Sequence, residues 1–144
     1  MRITIREQIS PDEVTVPGGD ALGYRIRFGC ALGEGPAVLV PARRRFGWKV
    51  GSELLVETSQ AGIAEVKIWK NRGTMVPMLT PLEVEGDFQV RGLVASLADS
   101  LVYVDAAGIE FVLPADSELA GLDARPGDNV MFILHGLGLW EQES

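Results

Sequence analysis

The stretch AVLVPARRRFGWKVGSELLVETSQAGIAEVKIW, residues 37–69, bears most directly on the fold. An apolar strand ends at Pro41, a polar segment with three consecutive arginines follows, and Gly51 and Gly62 mark turns before two further strands, the last ending on Trp69. The same order returns later in the chain. EFVLPA (110–115) is followed by a polar stretch, then RPGDNVMFI (125–133), then GLGLW (136–140), so that Pro41 answers to Pro114 and Gly51 to Gly127. Small β-proteins also reuse turn chemistry, but the favoured reading is an internal duplication of a barrel-forming unit. The boundary then falls within TPLEVEG (80–86), between a 1–80 half and an 81–144 half.

Working outward from this stretch, most of the chain repeats with a period of two, the signature of strands. GYRIRF alternates Tyr24, Ile26 and Phe28 with Arg25 and Arg27, RITIRE does so with Ile3 and Ile5, and IAEVKIWK sets Ala64, Val66 and Ile68 against Glu65, Lys67 and Trp69. PAVLVP, LVYVD and NVMFIL are apolar on both faces, as expected for strands covered on both sides or closed into a barrel. Clusters such as PGGD, GEGP, DAAG and RPGD punctuate these runs with turn residues. Little helix is expected: ADSELAGL (115–122) and PARRRFGW (41–48) have room for a turn or two each. The predicted fold class is mainly β, one or two small barrels of OB-like or cradle-loop-like form.

The hydrophobic content of 47% is enough for a core without crosslinks. A lone cysteine, Cys30, and a lone histidine, His135, leave neither an intrachain disulfide nor zinc spacing. No apolar run reaches bilayer length and the first residues lack a leader pattern, so a soluble, cytoplasmic protein without membrane association is expected. Charge divides unevenly: the first 80 residues hold eleven Lys or Arg against eight acids, the remainder two against twelve, giving +3 and −10 within the total of −7. The basic half is suited to a polyanion; alternatively, the two halves attract one another or a neighbouring copy.

Two resemblances follow from these motifs. DAAGIEFVLPADSELAGL followed by VMFILHGLGLWE resembles the second repeat of the MraZ branch of AbrB/MraZ-type swapped-hairpin barrels, and VPARRR resembles a segment of the first repeat. That likeness implies an oligomeric DNA-binding regulator, although Ile109 stands where the pattern has arginine. The second half is also similar to an OB barrel, with five strands and a short helical stretch after the third.

Basic and aromatic residues carry the functional expectation. Arg43, Arg44, Arg45 and Lys49, joined by Lys67, Trp69 and Lys70, pair phosphate-neutralising cations with flat stacking surfaces, the combination that binding a nucleic acid strand requires. Phe46 and Trp48 lie among them. The competing reading is a solvated arginine turn and tryptophans that cover the core. The acidic half, including Asp105, Glu110, Asp123 and Asp128, suits a protein partner or simply keeps the chain in solution. DARPGD lacks the spaced oxygen ligands of a calcium loop, and no Walker, dinucleotide or nucleophile-elbow motif occurs. The expectation is therefore a non-enzyme without metal or cofactor, contacting nucleic acid first and a protein or homo-oligomer second.

Overall fold

The alternation in GYRIRF has the predicted consequence. In the computed structural model, which describes residues 1–43, 48–70, 76–114 and 123–143, β2 (Leu22–Cys30) buries Ile26 and Phe28 and leaves Arg27 exposed. β1 (Arg2–Thr15) buries Ile3 and Ile5 in the same way, then bends at irregularities between Ile5 and Glu7 and between Gln8 and Glu13. With β3 (Gly33–Val40), β4 (Glu53–Ser59) and β11 (Gly138–Glu141) they form a closed five-stranded barrel in the order β1-β2-β3-β11-β4. Its pairs are antiparallel except β3 with β11, which run parallel. The mainly β fold with a small barrel is thus present, and no helix occurs among the described residues. In particular, none is long and apolar enough to cross a membrane. The expected helical turn at 115–122 lies outside the described residues, as do 44–47 of the turn expected at 41–48.

A second sheet holds β5 (Gly62–Trp69), β10 (Asn129–His135), β7 (Phe88–Ala98), β8 (Leu101–Ala106) and β9 (Ile109–Pro114) in that order, with β6 (Met78–Pro81) along the first half of β7. The repeated grammar occupies equivalent places. β4 is flanked by β1 and β11, and β10 by β7 and β5. Each sheet nonetheless takes an outer strand from the other half of the sequence: β11 closes the barrel of the first half, and β5 joins the sheet of the second. Short corners at 60–61 and 136–137 carry these crossings. Gly136 has φ +66 and packs so close to Pro17 that a β-carbon would collide with it and press on Ala61.

One continuous apolar core runs through both sheets. Phe28 of the barrel meets Phe88 of β7 at 6.0 Å, and Phe111 and Phe132 pair edge-on at 6.0 Å within the second sheet. The two-face apolarity of β3 also has a cause: Val38 and Val40, outside the barrel, are covered by Val16 with Val14, Ala21 and Trp140.

In one strand the simple alternation fails. Glu65 adopts φ 50, and the β10–β5 register shifts between Met131 and Ile133, so Ala64 pairs with Ile133 and Lys67 with Met131. The extra residue transfers Ala64 to the outer face and leaves Ile63, with Val66 and Ile68, packed on the core.

Candidate nucleic-acid interface

The residues singled out in sequence separate into two groups. Arg43 and Lys49 lie on the connection between β3 and β4; Arg44, Arg45 and Phe46 fall outside the described residues. Arg43 is exposed, with its Nε 3.7 Å from a carboxylate oxygen of Glu143. Lys49 is exposed, and its backbone N–H donates to Ser52 Oγ at 3.0 Å, shaping the Gly51 turn. Trp48 is fastened into the fold: its Nε1–H donates to Glu141 Oε2 at 2.7 Å, its ring stands edge-on to Tyr24, and it packs on the core. The same carboxylate accepts the Ala42 N–H at 3.0 Å, so Trp48 pins this connection to β11.

Lys67, Trp69 and Lys70 form the second group, at the far end of β5 on the other sheet. No hydrogen bond, ion pair or ring contact among the described residues joins the two groups. Lys70 is held by its neighbours: Nζ lies 2.6 Å from Asp128 Oδ2 and also donates to the Asp123 carbonyl. Asp128 further accepts the Arg125 N–H at 2.9 Å. The Lys70 hydrogen bond, helped by that backbone bond and by the charges of Lys70 and Arg125, holds the Asp128 carboxyl below its ordinary value against the opposing effect of desolvation. The DARPGD turn therefore uses its buried carboxylate to close itself onto β5.

Register brings a further cation to Lys67. Lys67 of β5 pairs with Met131 of β10, Met131 with Arg91 of β7, and Arg91 with Met78 of β6. Directly paired residues share a face, so these four make a row across the outside of the second sheet. Trp69 lies in the next row, paired with Asn129, which in turn pairs with Leu93. Lys67, Arg91 and Trp69 have no ion-pair or hydrogen-bond partner among the described residues. Trp69 is 36% exposed, whereas Trp140 is half-buried with its indole N–H on Ser59 Oγ at 2.8 Å.

Arg2, Arg25 and Arg27 are accompanied by acids, Glu53 at 3.5 Å, Glu85 at 2.5 Å and Glu7 at 3.7 Å, whereas the exposed Arg6 and Lys49, like Lys67 and Arg91, have no ion-pair partner among the described residues. Arg91 escaped the sequence reading because its partners in the row come from three strands distant along the chain. Its one signal was the alternation of QVRGLV, which turns Arg91 away from Val90 and Gly92.

Among the described residues no three His, Cys, Asp or Glu side chains are grouped to hold a metal ion. His135 Nδ1 lies 2.8 Å from Asp87 Oδ2, and Asp87 Oδ1 accepts the Gly136 N–H at 3.1 Å, an arrangement that braces the β10–β11 corner. No family model, curated protein or solved structure matches the chain.

Proposed function

We propose that this chain is a non-enzymatic, cytoplasmic binding module whose second sheet holds a nucleic acid strand against Lys67, Arg91 and Trp69. One observation carries the reading: two cations with no ion-pair partner among the described residues and the most exposed indole lie on adjacent rows of one sheet face. Such a surface neutralises phosphate and offers a base a flat ring to stack on. Arg43 and Lys49, on the connection between β3 and β4, would then act as a separate pair of cations.

The closed barrel has five strands, as an OB barrel has, but four of them come from the first half of the chain, whereas the OB-like resemblance rests on motifs of the second half. OB barrels commonly use the face of their second and third strands. Here that face is occupied: Val14, Val16 and Trp140 cover Val38 and Val40, and Arg25 and Arg27 are engaged by Glu85 and Glu7. This favours the second sheet as the ligand face.

The test is binding of a mixed-sequence single-stranded oligonucleotide across a salt series. Affinity should fall steeply with salt, and replacing Lys67 and Arg91 together by alanine should reduce the logarithmic slope by about 1.4, since each phosphate contact on a single strand contributes about 0.7. Trp69→Phe should keep the slope and weaken binding. Failure to bind at low salt, or a slope unchanged in the double variant, would overturn the reading.

A further inference from the structure

In the barrel, β3 is paired on both edges, by β2 on one and β11 on the other. Among the described residues its counterpart β9 pairs only with β8. The geometry points to this edge of β9, where among the described residues only the Gln60 side chain meets the backbone and would be displaced at Val112, as a docking site for an extended, lysine- or arginine-bearing peptide, added as a strand where β11 lies on β3. This inference does not rest on the nucleic-acid reading: it concerns the opposite edge of the second sheet, although Glu110 shares the outer face with Trp69 through the pairs Trp69–Asn129, Asn129–Leu93, Leu93–Asp105 and Asp105–Glu110.

The direction of the free backbone groups follows from the hairpin. Ala107 and Gly108, with φ 52 and 85, make a two-residue turn closed by Ala106 and Ile109. In an antiparallel pair the residues that exchange bonds alternate, so Ala106/Ile109 and Val104/Phe111 bond across the hairpin. Glu110 and Val112 therefore point their N–H and C=O groups away from β8. The side-chain amide of Gln60 bears this out, since its Nε2 donates to the Val112 carbonyl from that side at 3.2 Å. No backbone bond to another strand uses the edge among the described residues.

Space and charge select the occupant. A slot of about 480 Å³ lies between β9 at 108–112 and β4 at 56–58. Glu57 and Glu110 both line it, both are exposed, and neither has a cationic partner among the described residues. They lie on the outer side of their strands, next to Val56 and Phe111, which point into the core. A strand laid along β9 would thus present alternate side chains to two carboxylates, and the intervening ones would turn inward.

The probe is an acetylated Lys-Val-Lys-Thr-Lys-Val-Lys amide, compared with its Glu-for-Lys analogue and with a version methylated on alternate backbone nitrogens. The Lys peptide should bind the full chain at least tenfold more tightly than either control. Glu110 and Val112 amides should gain hydrogen-exchange protection on its addition. Glu57→Lys with Glu110→Lys should reverse the preference in favour of the Glu peptide, and circular dichroism checks that this variant keeps its fold. The combined variant Glu57→Gln with Glu110→Gln should lose most of the discrimination between the two charged peptides even if the reversal variant fails to fold. Equal binding of the N-methylated peptide, no binding of the Lys peptide, protection at a different strand, or protection of the same amides by self-association without peptide would each overturn the proposal. None of these results depends on whether the oligonucleotide binds.

Discussion

The barrel and the second sheet build on the same strand–turn–strand unit and finish it differently. β4 and β10 have seven residues each and hold equivalent places, but the strand beyond each passes into the other sheet. On the barrel side β11 pairs on both edges, with β3 and β4, and Leu139 is fully buried. On the other side β5, among the described residues, pairs only with β10, carries the Glu65 bulge, and leaves Ile63 half-buried. Closure gives every barrel strand a neighbour on both sides over part of its length, although β1 meets β4 only at Arg2–Thr4, whereas among the described residues β5 and β9 are the edges of an open sheet. Both proposed binding surfaces therefore lie where the repeat is left unfinished.

The largest expected effect tests whether the two regions are energetically separate. Phe88 belongs to the second sheet and packs on Phe28 and Gly35 of the barrel. Phe88→Ala should cost about 3–5 kcal/mol. If the shared core couples the sheets, tryptophan fluorescence and far-ultraviolet dichroism will still report one coincident denaturant transition; two separated transitions would mean that the regions unfold independently.

Matched truncations of the exchanged strands sharpen the contrast. Leu139→Ala removes a fully buried side chain from the closed barrel and should cost about 2–5 kcal/mol. Ile63→Ala, at the corresponding point of β5, should cost about half as much, because Ile63 is already partly solvated. Equal losses in urea titrations would erase the distinction between closed and open sheets.

Acid acts on the second sheet through Asp128. Its folded-state carboxyl lies below the unfolded value, so the stabilisation is complete above the unfolded carboxylate range, about pH 4, and disappears as pH falls through the folded value. Asp128→Asn should therefore lower the urea midpoint at neutral pH, and the gap from the parent should narrow on acidification. A gap that widened instead would contradict the Lys70 contact.

The smallest effect is expected at Arg27, whose partner Glu7 lies 3.7 Å away with both side chains about half exposed or more. Arg27→Ala should change stability by no more than about 0.5 kcal/mol, since water screens such a pair. Its value lies in contrast with Lys70→Ala, which releases a buried carboxylate and should cost more in the same assay.

Some of this contrast was legible in the chain. Period-two patterning identified Ile3, Ile5, Ile26 and Phe28 as buried, because side-chain direction in a strand is a local property. The Pro41/Pro114 and Gly51/Gly127 grammar marked units that the structure sets in equivalent positions. The bulge was not legible: Glu65 carries no turn signal, and its positive φ is imposed by pairing with β10. Nor did Trp48 reveal that it would serve Glu141, a residue at the other end of the chain. Arg44 and Arg45, prominent in the sequence, lie outside the described residues, while Arg91 entered the candidate site through register alone.

Composition and alternation by themselves determined a β-rich chain, its turns, most of its buried side chains and the uneven spread of its charge, since each depends on residues close together. Only tertiary structure decided that β5 and β11 exchange sheets, that Lys67 and Arg91 share a row on either side of Met131, and that among the described residues β9 is an edge strand. Those outcomes depend on pairing between distant strands, whose register is set by the combined packing of the whole core and cannot be read from any one segment.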